Sequence, residues 1–216
     1  MCSRSRGRFE QWRDQHAVTL TRGATPSLAV MTATEWARAS VAGTLDAPPA
    51  LLALAARVEV AAVDVAEPTR PSGPRFGTLV HALLAHVALD AGPGAVAQMA
   101  SVQARMLGAT DDERAAAATV ADQLLRHPLV ARARAAAAAG RVCRREEPLV
   151  VAVGGLLVDG LADLLWDDGD GWMVVDFKTD IELGASLELY TRQVAVYLEA
   201  LTRATGRPAT GALLRA

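Results

Sequence analysis

The sequence predicts an α/β fold in which a mixed sheet is flanked by helices and preceded by a helical extension. Three observations predict it. Apolar residues recur at helical spacing between residues 78 and 138. After Gly140 the pattern changes to short apolar runs separated by glycine-rich turns, as far as Lys178. It then returns to helical spacing over residues 186–204 and closes with one more apolar run, GALLR. Helices, three strands, a helix and a strand in that order describe a sheet covered by helices rather than a bundle or a barrel.

Residues 1–70 alternate short helical signals with breaks at Pro26, Pro48, Pro49 and Pro68, which predicts helices and loops without a core of their own. Within them Thr32 and Glu35 have capping-box spacing. The stretch EPTRPSGPRFG, residues 67–77, concentrates proline and glycine and reads as a linker. A boundary there divides the chain into an extension, 1–70, and a main domain, 71–216. In the main domain Leu79, Val80, Leu83, Leu84 and Val87 mark an amphipathic helix over 78–89, with His81 beside its apolar stripe. Helices are expected over 94–107 and 111–138, the second closed by Gly140. EEPLVVAV, GLLVDGLADLLW and WMVVDFK form a hairpin meander joined through the turn DDGDG. Gly206 and Pro208 end the helix before the last strand.

Composition narrows the function classes. Apolar residues make up 51% of the chain, enough to offset folding entropy by burial. No apolar run approaches the ~20 residues of a spanning helix, and the start has no apolar signal segment, so no membrane role and a cytoplasmic location are expected. Cys2 and Cys143 are too few for an iron–sulfur cluster or a four-cysteine zinc site. A net charge of −2 gives no global attraction to nucleic acid, although carboxylates that hold a metal make a site locally acidic. Lys178 is the only lysine among 22 basic residues. A chain that otherwise uses arginine keeps a compact ammonium at this one place. Because Phe177 precedes it, no G-x-x-x-x-G-K-[ST] phosphate loop exists, and no ATP-driven motor lies in the chain.

In WMVVDFK, strand alternation puts Asp176 and Lys178 on one face. Across the DDGDG turn, Asp163 falls within about one residue of the position opposite Asp176, where cross-strand neighbours lie roughly 5 Å apart. Two carboxylates so placed can share a divalent cation, and hard oxygen ligands suit Mg²⁺ or Mn²⁺. With a metal and an ammonium beside it, a phosphodiester could be hydrolysed there. D-x-K alone is also what an ordinary surface pair at a strand end looks like.

Five motifs in order lift the reading above that. RFGTLVHALL, REEP, GLADLLW, VVDFKTD and QVAVY resemble the G-x-x-x-H helix, the E-x-P, G-x-x-D and D-x-K strands and the Q-x-x-x-Y helix of PD-(D/E)XK nucleases. The resemblance is to the RecB-like domain that ends AddAB- and RecBCD-type helicase-nucleases, and covers residues 75–216. It implies a restriction-endonuclease-like fold. It also implies that His81, Asp163, Asp176 and the Phe177 backbone carbonyl ligate the metal, that Lys178 is the catalytic lysine and that Glu146 supports the site. Glu147 remains open as the alternative to Glu146. Gln193 and Tyr197, four apart on one helix face, would line the active site or hold DNA, and core packing explains Tyr197 equally well. His86 is read as structural, Asp159 as secondary to Asp163, and Asp167, Asp168 and Asp170 as turn residues.

The function expected is therefore a Mg²⁺-dependent DNA nuclease in double-strand-break repair and recombination. It would act on single strands fed to it by a helicase subunit or by a missing helicase half. The alternatives are a non-catalytic scaffold or DNA-guiding module of a helicase complex, and a metal-dependent hydrolase of another ester.

Overall fold

A computed structural model describes residues 2–24, 28–63, 70–179 and 184–216. Its elements run α1 (Cys2–Ala24), β1 (Ala29–Thr32), α2 (Ala33–Val41), α3 (Pro49–Ala55), β2 (Glu59–Ala62) and α4 (Pro74–His86). They continue with α5 (Pro93–Leu107), α6 (Asp111–Arg126), α7 (Pro128–Ala138), β3 (Cys143–Val153), β4 (Leu156–Asp167), β5 (Trp172–Lys178), α8 (Leu187–Thr205) and β6 (Ala209–Arg215). The fold is the mixed, helix-flanked α/β architecture expected, with α1 as its helical N-terminal element. Pro26, Pro68, residues 67–69 of the linker and Asp180 of the VVDFKTD motif lie outside the described residues.

Six strands form one sheet in the order β1-β4-β5-β6-β2, with β3 along the other flank of β4. β3, β4 and β5 are the antiparallel meander, whereas β6 pairs parallel to β5 after the crossover through α8. Side chains alternate across the sheet. Leu164, Trp166, Val175, Phe177 and Leu214 face the layer of α4 to α7. Val158, Leu165, Val174 and Leu213 face α2, α3 and α8. Two cores therefore sandwich the sheet.

Two expectations about elements are corrected. Residues 28–63, read as helices and loops, contribute β1 and β2, which pair parallel with β4 and β6. Four-residue strands carry too little alternation to show in sequence, and their partners are far along the chain. The helix expected over 111–138 is two helices. His127 leaves helical geometry and its side chain accepts from Leu129 N–H, while Pro128 opens α7 at a position where its missing N–H costs nothing. The capping box of Thr32 and Glu35 is present, and a second one joins Thr110 and Glu113.

β4 is the strand that positions the site. β3 follows its whole length, but its other flank is shared: residues 156–159 pair with β1 and residues 164–167 with β5. Between them, at residues 160–163, the sheet forks.

Candidate active site

Asp163 sits in the fork. The β4–β5 ladder ends at Leu164–Val175, which makes Asp163 and Asp176 the next pair in register. There the Asp163 side chain takes over from the backbone: its Oδ2 accepts from Phe177 N–H at 2.7 Å. Its Oδ1 lies 3.2 Å from His81 Nδ1 on α4. This contact draws α4 onto the strand ends, and the approach is close: a Cβ at Gly77 would meet Thr179 Oγ1 at 3.1 Å. Glycine in the G-x-x-x-H segment thus lets the helix carry His81 to the sheet.

Asp176 and Lys178 point into the same space, as alternation requires. Lys178 Nζ lies 2.6 Å from Asp176 Oδ2, and both side chains are nearly enclosed. That oxygen is buried and has the ammonium as an ion-pair partner without an aligned hydrogen bond. Burial pushes the Asp176 carboxyl up, partly opposed by the Lys178 charge and reinforced by Asp163, to about 6. Burial also disfavours the Lys178 ammonium, but the adjacent Asp176 carboxylate outweighs it and raises its pKa. At His81, burial is overcome by the Asp163 carboxylate, which pushes the imidazole up to about 9.

Glu146, on β3 opposite Asp163, completes the cluster. It holds φ at 50°, the one non-glycine positive φ among the described residues, and this left-handed backbone is strained by roughly 1–3 kcal/mol. Ligand atoms of His81, Glu146 and Asp163 all lie within 4.8 Å of one another. Burial raises the Glu146 carboxyl, with Asp163 adding to the effect.

A family comparison matches residues 51–216 to the PD-(D/E)XK nuclease superfamily. The chain belongs to that superfamily. A stretch of 56 residues is 39% identical to an ATP-dependent helicase/nuclease subunit of Alkaliphilus oremlandii (strain OhILAs), covering 24% of this chain and 5% of that relative. The chain therefore matches only a small part of the relative's length. Both similarities are consistent with the RecB-like branch of the PD-(D/E)XK nucleases, and the six-stranded sheet with a restriction-endonuclease-like fold.

PD-(D/E)XK nucleases use divalent metal ions, and the residues present fit one. One imidazole nitrogen and two carboxylates converge, and a third carboxylate, Asp176, is buried nearby in an ion pair with Lys178. A cation would compensate a cluster in which burial, with Asp163 adding to it, raises the Glu146 and Asp176 carboxyls. Among the residues expected from sequence, the structure brings together His81, Glu146 and Asp163, while Asp176 is paired with Lys178. Glu147 is the next residue on the β3–β4 ladder, opposite Ala162, and is outside the cluster. His86 bonds the Ala82 carbonyl within its own helix. Asp167 and Asp168 hold the turn, through Arg207 and Trp166.

α8 covers the site. Gln193 Nε2 donates to Tyr197 Oη at 2.8 Å, both side chains are buried, and Tyr197 packs so closely on Gly160 that a Cβ there would meet its ring at 2.5 Å. Sequence reading missed Tyr190, whose ring centroid lies 4.2 Å from Lys178 Nζ. The signal was available: Tyr190, Gln193 and Tyr197 follow at i, i+3 and i+7, one helix face.

Proposed function

We propose that the chain is a divalent-metal-dependent deoxyribonuclease, the nuclease module of a helicase–nuclease that acts in double-strand-break repair and recombination. The convergence of Asp163, Asp176, Lys178, His81 and Glu146 in the fork of the sheet carries this reading. The name of the similar helicase/nuclease subunit supports a helicase partner or a helicase half.

His81, Glu146 and Asp163 would hold the ion, Mg²⁺ or in its place Mn²⁺, with Asp176 and the Phe177 carbonyl as further ligands. When bound, it supplies Lewis-acid stabilisation of the phosphoryl group and lowers the pKa of the attacking water. Lys178 Nζ, held by Asp176 Oδ2, orients that water and opposes the negative charge that develops on the phosphoryl oxygens. Asp163 ties α4, β4 and β5 together through His81 and Phe177 N–H, so the ligands keep their places when the ion leaves. Gln193 and Tyr197 hold the strand beside the fork. A single strand, whose backbone can bend into a concave site, is the substrate expected.

The deciding experiment is cleavage of end-labelled single- and double-stranded DNA with Mg²⁺ or Mn²⁺, against an EDTA control and the Lys178→Ala variant. Metal-dependent cleavage reduced at least ~100-fold in the variant is expected, the loss typical for one charge-stabilising group. Absence of cleavage with no metal bound by Asp163 and Asp176 would favour a non-catalytic scaffold instead.

A further inference from the structure

The fork that positions Asp163 also leaves a cavity of about 400 Å³ on the β1 side, between the start of α2, the middle of β4, Pro148 of β3 and the face of α8. Such a volume is in the range of small-ligand sites. Its walls carry polar groups of both kinds. Asp159 lines it, and behind the wall the carbonyl oxygen of Gln193, an enclosed side chain only 8% exposed, has no partner among the described residues. Also lining it is the first turn of α2, where Ala33 and Thr34 have N–H groups with no acceptor inside the helix, since the capping box serves Thr32 and Glu35. Pro148 and Leu161 supply flat apolar surface.

We propose that this cavity is a nucleobase subsite, which seats one base of the strand being cut and favours bases with an exocyclic amino group over thymine. The inference rests on the nuclease reading. A phosphate fits poorly, because it offers only acceptors and negative charge to a wall that holds the Asp159 carboxylate. An amino-bearing base presents donors and acceptors together on one rigid edge, and its faces can lie on Pro148 and Leu161. The amino group would donate to Asp159 while ring acceptors meet the α2 N–H groups. Asp159 and Asp163 lie on one strand, so a base held at the cavity belongs to a nucleotide near the one whose phosphate reaches the metal ligands.

The test is fluorescence anisotropy of labelled oligo(dC) and oligo(dT), pyrimidines of similar size, with Ca²⁺ to keep the DNA uncut, alongside cleavage of the same oligonucleotides in Mg²⁺. The full chain should bind oligo(dC) about tenfold more tightly, one base-edge contact's worth of discrimination. Asp159→Leu, which keeps the bulk and removes every acceptor, should bring the two affinities together while Mn²⁺ binding stays the same. Equal affinities in the unsubstituted protein, or a preference that survives Asp159→Leu, would overturn the subsite. Selective binding without metal-dependent cleavage would sink the nuclease reading and leave the subsite standing; no binding of either oligonucleotide would remove both.

Discussion

The Lys178 ammonium is held from two sides, by Asp176 Oδ2 and by the face of Tyr190. A cation over an aromatic ring is worth ~0.5–2 kcal/mol, so Tyr190→Leu should lower kcat by up to about 30-fold at unchanged Mn²⁺ affinity, whereas Tyr190→Phe, which keeps the ring, should retain most of it. Steady-state kinetics of the two variants checks this, and equal losses in both would mean the ring face is not what holds Lys178. Glu146 invites a different substitution. Its left-handed backbone costs ~1–2 kcal/mol that glycine would not incur, against ~0.5–1 kcal/mol of extra chain entropy for glycine. Glu146→Gly should therefore leave the urea midpoint unchanged or raised while metal affinity and cleavage fall. These residues also mark what sequence could disclose. Asp163, Asp176 and Lys178 were legible because strand periodicity and a short hairpin fix their neighbours. The φ of Glu146 was not, since it answers to packing at the fork, and Tyr190 was hidden because a tyrosine on a helix face is also ordinary core.

Single elements meet the site through close approaches. At Gly160, a Cβ would press on the Tyr197 ring and on Ala33, so Gly160→Ala is expected to cost ~1–3 kcal/mol by overpacking, read from urea denaturation, and to weaken DNA binding through the displaced Tyr197. The DDGDG turn carries an acid-sensitive staple. Hydrogen bonds from Arg207, and then from Gly169 N–H, hold the Asp167 carboxyl down to about 2 from an ordinary value of 3.8. A depressed folded pKa contributes stability that is complete above the unfolded value and is lost as pH falls through the folded one. The staple should thus weaken between about pH 4 and pH 2, and Asp167→Asn should flatten the fall of the urea midpoint in that window. The effect will be modest because the pair is solvent-accessible. Long elements were readable from sequence, α5 to within a residue and the β3–β5 meander with its turn, because they repeat their period several times. The break at His127 and the strands β1 and β2 were not: one depends on a cap, and the others on partners distant in the chain.

In the whole molecule the N-terminal part belongs to the sheet. α2 and α3 pack on α8, and β1 and β2 extend the sheet beside β4 and β6, whereas the described side chains of α1 are all exposed. Removal of residues 1–27 should leave a cooperative thermal transition close to that of the full chain. Removal of residues 1–69 should abolish it, since it strips the cover from Val158, Leu165 and Val194. Circular dichroism melts of the two truncations decide the matter. The parallel pairing of β1 with β4 and of β2 with β6 joins residues more than a hundred positions apart, and that sets an order of assembly. During synthesis the early strands wait, unpaired, until the later ones emerge from the ribosome. The antiparallel meander and its helices can condense first, and β1 and β2 must add to a sheet already formed. Val30 and Val60 stay exposed on the two end strands of the finished sheet, and before assembly both edges of those strands are open to pairing with another copy of the chain. Folding yield, more than final stability, is the property on which weakened β1 or β2 pairing should act.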